Sequence, residues 1–127
     1  MSAAHKDPEA LLPLTPAVFH ILLSLASGER HGYAIMSEVA ADTDGRMQLG
    51  PGTLYGTIKR LLAAELIEES EARPDSEMDD ERRRYYRLTR FGRRVIQAEV
   101  GRYSQMVKVA RATGLFARSA SLKSAGV

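Results

Sequence analysis

The stretch Leu49-Gly50-Pro51-Gly52-Thr53-Leu54-Tyr55-Gly56-Thr57-Ile58-Lys59-Arg60-Leu61-Leu62 constrains this chain more than any other. Leu54, Ile58, Leu61 and Leu62 recur at the 3.6-residue period of a helix with one buried stripe. Pro51 suits the first helical turn, where its missing N–H is no loss. The opposite side carries Thr53, Gly56, Lys59, Arg60 and Ala63, flanked by Tyr55 and Thr57. A glycine in mid-helix costs roughly 1 kcal/mol against alanine, so Gly56 makes more sense where something bulky approaches the backbone. With hydroxyls and cations around it, nucleic acid fits that description. An ordinary amphipathic helix with a solvated polar side fits this one segment equally well.

The 127 residues suffice for one domain and an extension, and 44% hydrophobic with 27% charged content is that of a globular protein. No run of 18 apolar residues suggests a membrane span, and the first ten residues lack a hydrophobic signal core, so a cytoplasmic protein is expected. Without cysteine there are no disulfides, no thiolate chemistry and no cysteine-based zinc site. A net charge of +2 does not by itself point to nucleic acid. Its distribution says more: eight acids and one base lie between Glu68 and Glu81, and seven arginines without an acid between Arg82 and Arg94.

Four domains of behaviour follow along the chain. Residues 1–14, mixed and containing Pro8 and Pro13, suggest a flexible arm. Thr15-Pro16 is a capped helix start, and Val18, Phe19, Leu22, Leu25 and Ala26 give a helix over 15–27 an apolar face. His31-Gly32-Tyr33 leads into a second helix over 32–42, closed by the turn residues Asp42-Thr43-Asp44-Gly45. The alternation in Arg46-Met47-Gln48-Leu49 predicts a very short strand before the helix over 51–64. A strand from Leu66, a polar tip over 73–81 and a returning strand over 82–88 describe a wing. This order predicts a mainly α (α+β) winged helix-turn-helix domain over 15–88.

Thr89 caps a last helix running to about 114. Phe91 and Val95 pack back on the domain, but Ile96, Val100, Tyr103, Val107 and Ala110 recur with spacings of 4, 3, 4 and 3. Such a seam is too long for so small a domain to cover, so a second copy is the expected cover. A terminal helix lying on its own domain is the competing account. Residues 115–127 are expected to form a disordered tail.

Leu14-Thr15-Pro16, His31-Gly32-Tyr33-Ala34-Ile35-Met36, the stretch from Leu49 to Tyr55, and Arg83-Arg84-Tyr85-Tyr86-Arg87-Leu88-Thr89 occur in the order seen in PadR-family transcriptional regulators. The chain resembles that family over about residues 14–114. The resemblance implies a homodimeric winged-helix DNA-binding protein, a repressor in most members, with an inverted-repeat operator on double-stranded DNA. It also implies a small aromatic or drug-like effector, for which the dimer interface is a recognised place. Tyr103, Met106 and Phe116 are the candidates to line such a pocket here.

In a helix-turn-helix reader the recognition helix enters the major groove near its N-terminus. Gly52, Thr53, Tyr55, Gly56, Lys59 and Arg60 are therefore the expected DNA contacts, with Arg60 free instead to pair inside its own domain. Arg82, Arg83 and Arg84 are expected to touch the backbone or minor groove, against a competing pairing with Asp79, Asp80 and Glu81. His5, His20 and His31 lack metal-ligand spacing, and His31 suits helix-start packing, so neither metal nor cofactor is expected. A winged-helix protein–protein adaptor without DNA binding is the alternative, favoured by the acidic wing. No phosphate loop, nucleophile elbow or His/acid constellation suggests an enzyme.

Overall fold

The computed structural model describes residues 6–70 and 84–116. A single 3-10 turn, Pro8–Leu11, precedes helices α1 (Pro16–Ser24), α2 (Gly32–Asp42), α3 (Pro51–Ala63) and α4 (Arg90–Ala112). Strands β1 (Arg30–His31), β2 (Ile67–Glu69) and β3 (Tyr85–Leu88) form one antiparallel sheet in the order β1-β3-β2. This is a winged helix-turn-helix domain extended by a long C-terminal helix. None of its described helices is long and apolar enough to cross a membrane.

Two threonines expected from sequence to cap helix starts do so, and His31, expected to pack at a helix start, caps one as well. Thr15 accepts from the Val18 amide, Thr89 from the Gly92 amide, and the His31 imidazole Nδ1 from the Ala34 amide. The core gathers one face of every element: Phe19, Ile21, Leu22 and Leu25 from α1, Ile35 and Val39 from α2, Leu54, Ile58 and Leu61 from α3, and Val95 and Ile96 from α4. Leu66, Ile67 and Tyr86 add the sheet side. Of the adjacent tyrosines, Tyr86 enters this core while Tyr85 meets the His31 ring edge-on at 5.4 Å, as the alternating strand geometry requires.

Three expectations are corrected. The segment 46–49 is not a strand; the third strand is β1, which occupies the free edge of β3 at Tyr85 and Tyr86. With that edge taken, 46–49 has no ladder to join, and its Met47 amide bonds the Thr43 hydroxyl instead. Helix α1 stops at Ser24, short of 27, where tight turns begin. The expected loose arm is docked from Lys6 onward: Leu12 and Leu14 pack on the core, and the 3-10 turn lies along α4. The first five residues, the wing tip over 71–83 and the tail from 117 lie outside the described residues.

Candidate nucleic-acid interface

Helix α3 starts without a side-chain cap at Gly50, leaving its first amide N–H groups without a side-chain acceptor there. A Cβ built at Gly50 or Gly52 would meet nothing within 4 Å, so the fold itself does not demand glycine there. At Gly56 the nearest atom is the tip of Arg60, 3.9 Å away. Thr53, Lys59 and Arg60 are exposed, while Leu54, Ile58 and Leu61 on the other side are buried. Thr57 is buried; its hydroxyl donates to the Thr53 carbonyl at 2.8 Å and accepts from Arg60 at 3.2 Å. That bond steadies the Arg60 guanidinium on the surface without neutralising it. Lys59 makes no ion pair among the described residues.

Tyr55, at the edge of this surface, is half-buried. It packs against the core, with its hydroxyl over Gly32 so closely that a Cβ there would collide with the phenol. The pair seats α3 against the start of α2. Two motifs picked out from the sequence, around Gly32 and around Tyr55, are thus two halves of one contact.

At the base of the wing the cations are engaged. Arg84 Nη1 lies 2.8 Å from Glu69, and Arg87 Nε lies 2.9 Å from Glu68, across the β2–β3 pairing. The competing account paired the arginine cluster with Asp79, Asp80 and Glu81; Arg84 pairs with Glu69 on the outgoing strand. Arg82 and Arg83 lie outside the described residues.

Along α4 the character of the exposed surface changes at Glu99. Up to that point Gly92, Val95, Ile96 and Glu99 are buried. Ile96, expected on the intermolecular seam, is only 3% exposed and belongs to its own domain's core. Beyond it Val100 is 43% exposed, and Tyr103, Met106, Val107 and Val109 follow it into solvent, with Ala110 half-covered. The open seam therefore begins at Val100.

Of the candidate effector-pocket residues, Tyr103 rests its ring on Phe19 with centroids 4.8 Å apart, Met106 is exposed, and Phe116 lies under the Arg111 guanidinium. They do not line the groove of about 570 Å³ that opens between Lys6, Leu62, Ile67, Arg90 and Phe91.

Sequence reasoning passed over two residues here. Gly92 lies against the Leu66 carbonyl, where a Cβ would clash with backbone, so α4 can approach β2 only through glycine. Glu99 is fully buried, and its carboxylate accepts from the Leu14 amide at 2.9 Å and from Arg102 at 2.7 and 3.1 Å. The Arg102 hydrogen bonds hold its pKa below the usual glutamate range; the Leu14 amide and the Tyr103 hydroxyl act the same way, against the opposing effect of burial. An acid set three residues before an arginine, within an apolar stripe, was the available signal.

Residues 21–98 match the model of the Transcriptional regulator PadR-like family. Over 79 residues the chain is 39% identical to an uncharacterized 37.1 kDa protein in transposon TN4556 of Streptomyces fradiae, covering 62% of this chain and only 20% of that protein's length. A transcriptional regulator from Clostridium thermocellum has a similar structure, with a TM-score of 0.59 at 25% identity over 75% of this chain and 89% of that one. Bacillus subtilis PadR, solved in complex with operator DNA, shares the fold with a TM-score of 0.58 at 20% identity, over 69% of this chain and 47% of that one.

Proposed function

The chain belongs to the PadR-like family of transcriptional regulators, and on that premise we propose that it is a homodimeric repressor that reads an inverted repeat on double-stranded DNA. The observation that carries this reading is the start of α3. Three glycines leave its backbone open, its amides are uncapped, and Thr53, Lys59 and Arg60 stand around them without a neutralising acid among the described residues. Uncapped amides at a helix start suit phosphate, and the side chains a turn further on suit base edges. Gly52, Thr53, Gly56, Lys59 and Arg60 are the contacts in this reading, and Tyr55 acts by seating the helix. A related fold, that of Bacillus subtilis PadR, has been solved on its operator.

Dimerisation falls to the exposed seam of α4, through Val100, Tyr103, Val107 and Ala110. One short helix reads too few bases for operator choice, whereas two about 34–36 Å apart read an inverted repeat on one face of the duplex. A small aromatic or drug-like effector bound near Tyr103, Met106 and Phe116 would act by changing that spacing.

The test is fluorescence anisotropy of the protein on DNA from upstream of its own gene, beside a scrambled duplex, at two salt concentrations. Tight, selective binding that weakens with salt is the expected result. Equal weak binding to both duplexes would favour the adaptor reading, which draws support from the pairing of Arg84 and Arg87 with Glu69 and Glu68.

A further inference from the structure

A buried carboxylate sits where α4 passes from the domain into solvent, and nothing in DNA reading calls for it. Removing a charge from water is costly, and an apolar side chain of similar size often replaces a buried ion pair without loss of stability. Glu99 is nevertheless fully buried and supplied with donors from two sides. Leu14, at the end of the docked arm, donates its amide to Oε2. Arg102 donates Nε to Oε1 and Nη2 to Oε2, a two-pronged pair on the same helix. Tyr103, the next residue, lays its ring on Phe19 of α1.

The pair between Glu99 and Arg102 spans Gly101. A Cβ at Gly101 would meet nothing within 4 Å, so no close approach inside this chain explains the glycine. In a helix glycine is a weak point compared with alanine. The weak point falls one residue after Val100, where the core stops holding the helix. Any bend there would swing the distal seam relative to the recognition helix.

We propose that Glu99 is a positioning residue: by tying the Leu14 amide to Arg102 across Gly101, it fixes the direction in which α4 leaves the domain, and so the separation of the two recognition helices in the dimer. The proposal rests on the dimeric reading above. Glu99 itself lies on neither the DNA face nor the exposed seam; it acts through the joint between them.

Because the chain has no cysteine, Ala63→Cys at the exposed end of α3 gives one spin label per full-length protomer. Pulsed electron–electron distance measurement then reports the spacing between the two α3 helices directly. The otherwise native dimer is expected to give one narrow distribution. Glu99→Gln is expected to broaden it to about twice that width, and adding Gly101→Ala is expected to narrow it again by stiffening the joint. A purely structural role would lower the melting temperature and leave the distance distribution unmoved, which would overturn the proposal while the dimer stood. Failure of Gly101→Ala to narrow the distribution would overturn it as well. If Glu99→Gln does not fold, Arg102→Gln, whose side chain is partly exposed, takes its place and must broaden the distribution. A native protein with no distance between protomers would remove the dimeric reading itself, and the proposal with it.

Discussion

Helices α3 and α4 are both amphipathic, yet they leave opposite kinds of surface uncovered. In α3 the apolar stripe of Leu54, Ile58 and Leu61 is consumed inside the domain, and what remains outside is hydroxyl, glycine and cation. In α4 the apolar stripe outruns the domain: Val95 and Ile96 are inside, while Val107 and Val109 are not. A helix that hides its apolar face and shows charge is equipped for a polyanion. One that still shows apolar residues after its own core has closed is equipped for another protein surface. Exposure alone does not mark a functional face; its chemistry does.

The largest effects should separate the two stripes. Leu54→Ala is expected to cost about 3–5 kcal/mol of folding stability, since it empties a fully buried site. Val107→Ala should leave the melting point of the isolated protomer almost unchanged, measured by denaturation at low protein concentration. Equal losses would show that α4 is held along its whole length by its own domain. Next comes Val100→Glu with Val107→Glu, which should give folded monomers by light scattering and weaken operator binding by about 100-fold, near 3 kcal/mol. An unchanged mass would remove the seam.

Lys59→Glu with Arg60→Glu tests the other surface. Operator affinity should fall by about 30-fold, roughly 2 kcal/mol, with a shallower salt dependence and an unchanged circular dichroism spectrum. A protein–protein adaptor would not respond in this way.

Glu99 adds a pH dependence at the joint. Its folded-state pKa lies below its unfolded one, chiefly through Arg102. Its contribution is therefore fully present above the usual glutamate range and is lost as pH falls toward the lowered value. Thermal melts taken from neutral into acid should fall less steeply for Glu99→Gln than for the native protein. The smallest effect belongs to the wing base: Arg87→Gln should cost under about 1 kcal/mol, because its pair with Glu68 is half exposed. High salt should erase even that difference.

Much of the fold was legible because its signals are local. Capping residues, the 3.6-residue stripes and the turn after Asp42 depend on neighbours in sequence, and the structure has them in place. What sequence left hidden depends on contacts between distant segments. The edge taken by β1 rather than 46–49, the seating of Tyr55 over Gly32, and the inward turn of Ile96 are all decided by tertiary partners. The docked arm is the plainest case. Its composition looks loose, but Leu14 is held by a carboxylate 85 residues away, which no window along the chain reveals. On the candidate DNA face, exposure of Thr53, Lys59 and Arg60 followed directly from periodicity, because α3 buries Leu54, Ile58 and Leu61 and half-buries Leu62.

The most direct measurement is the mass of the complex between the native protein and a duplex it binds selectively, read by sedimentation or light scattering. Two protomers on one duplex, reduced to none by Val100→Glu with Val107→Glu, is the result expected if α4 joins the copies and α3 reads the DNA. One protomer per duplex with full selectivity would contradict that division of labour.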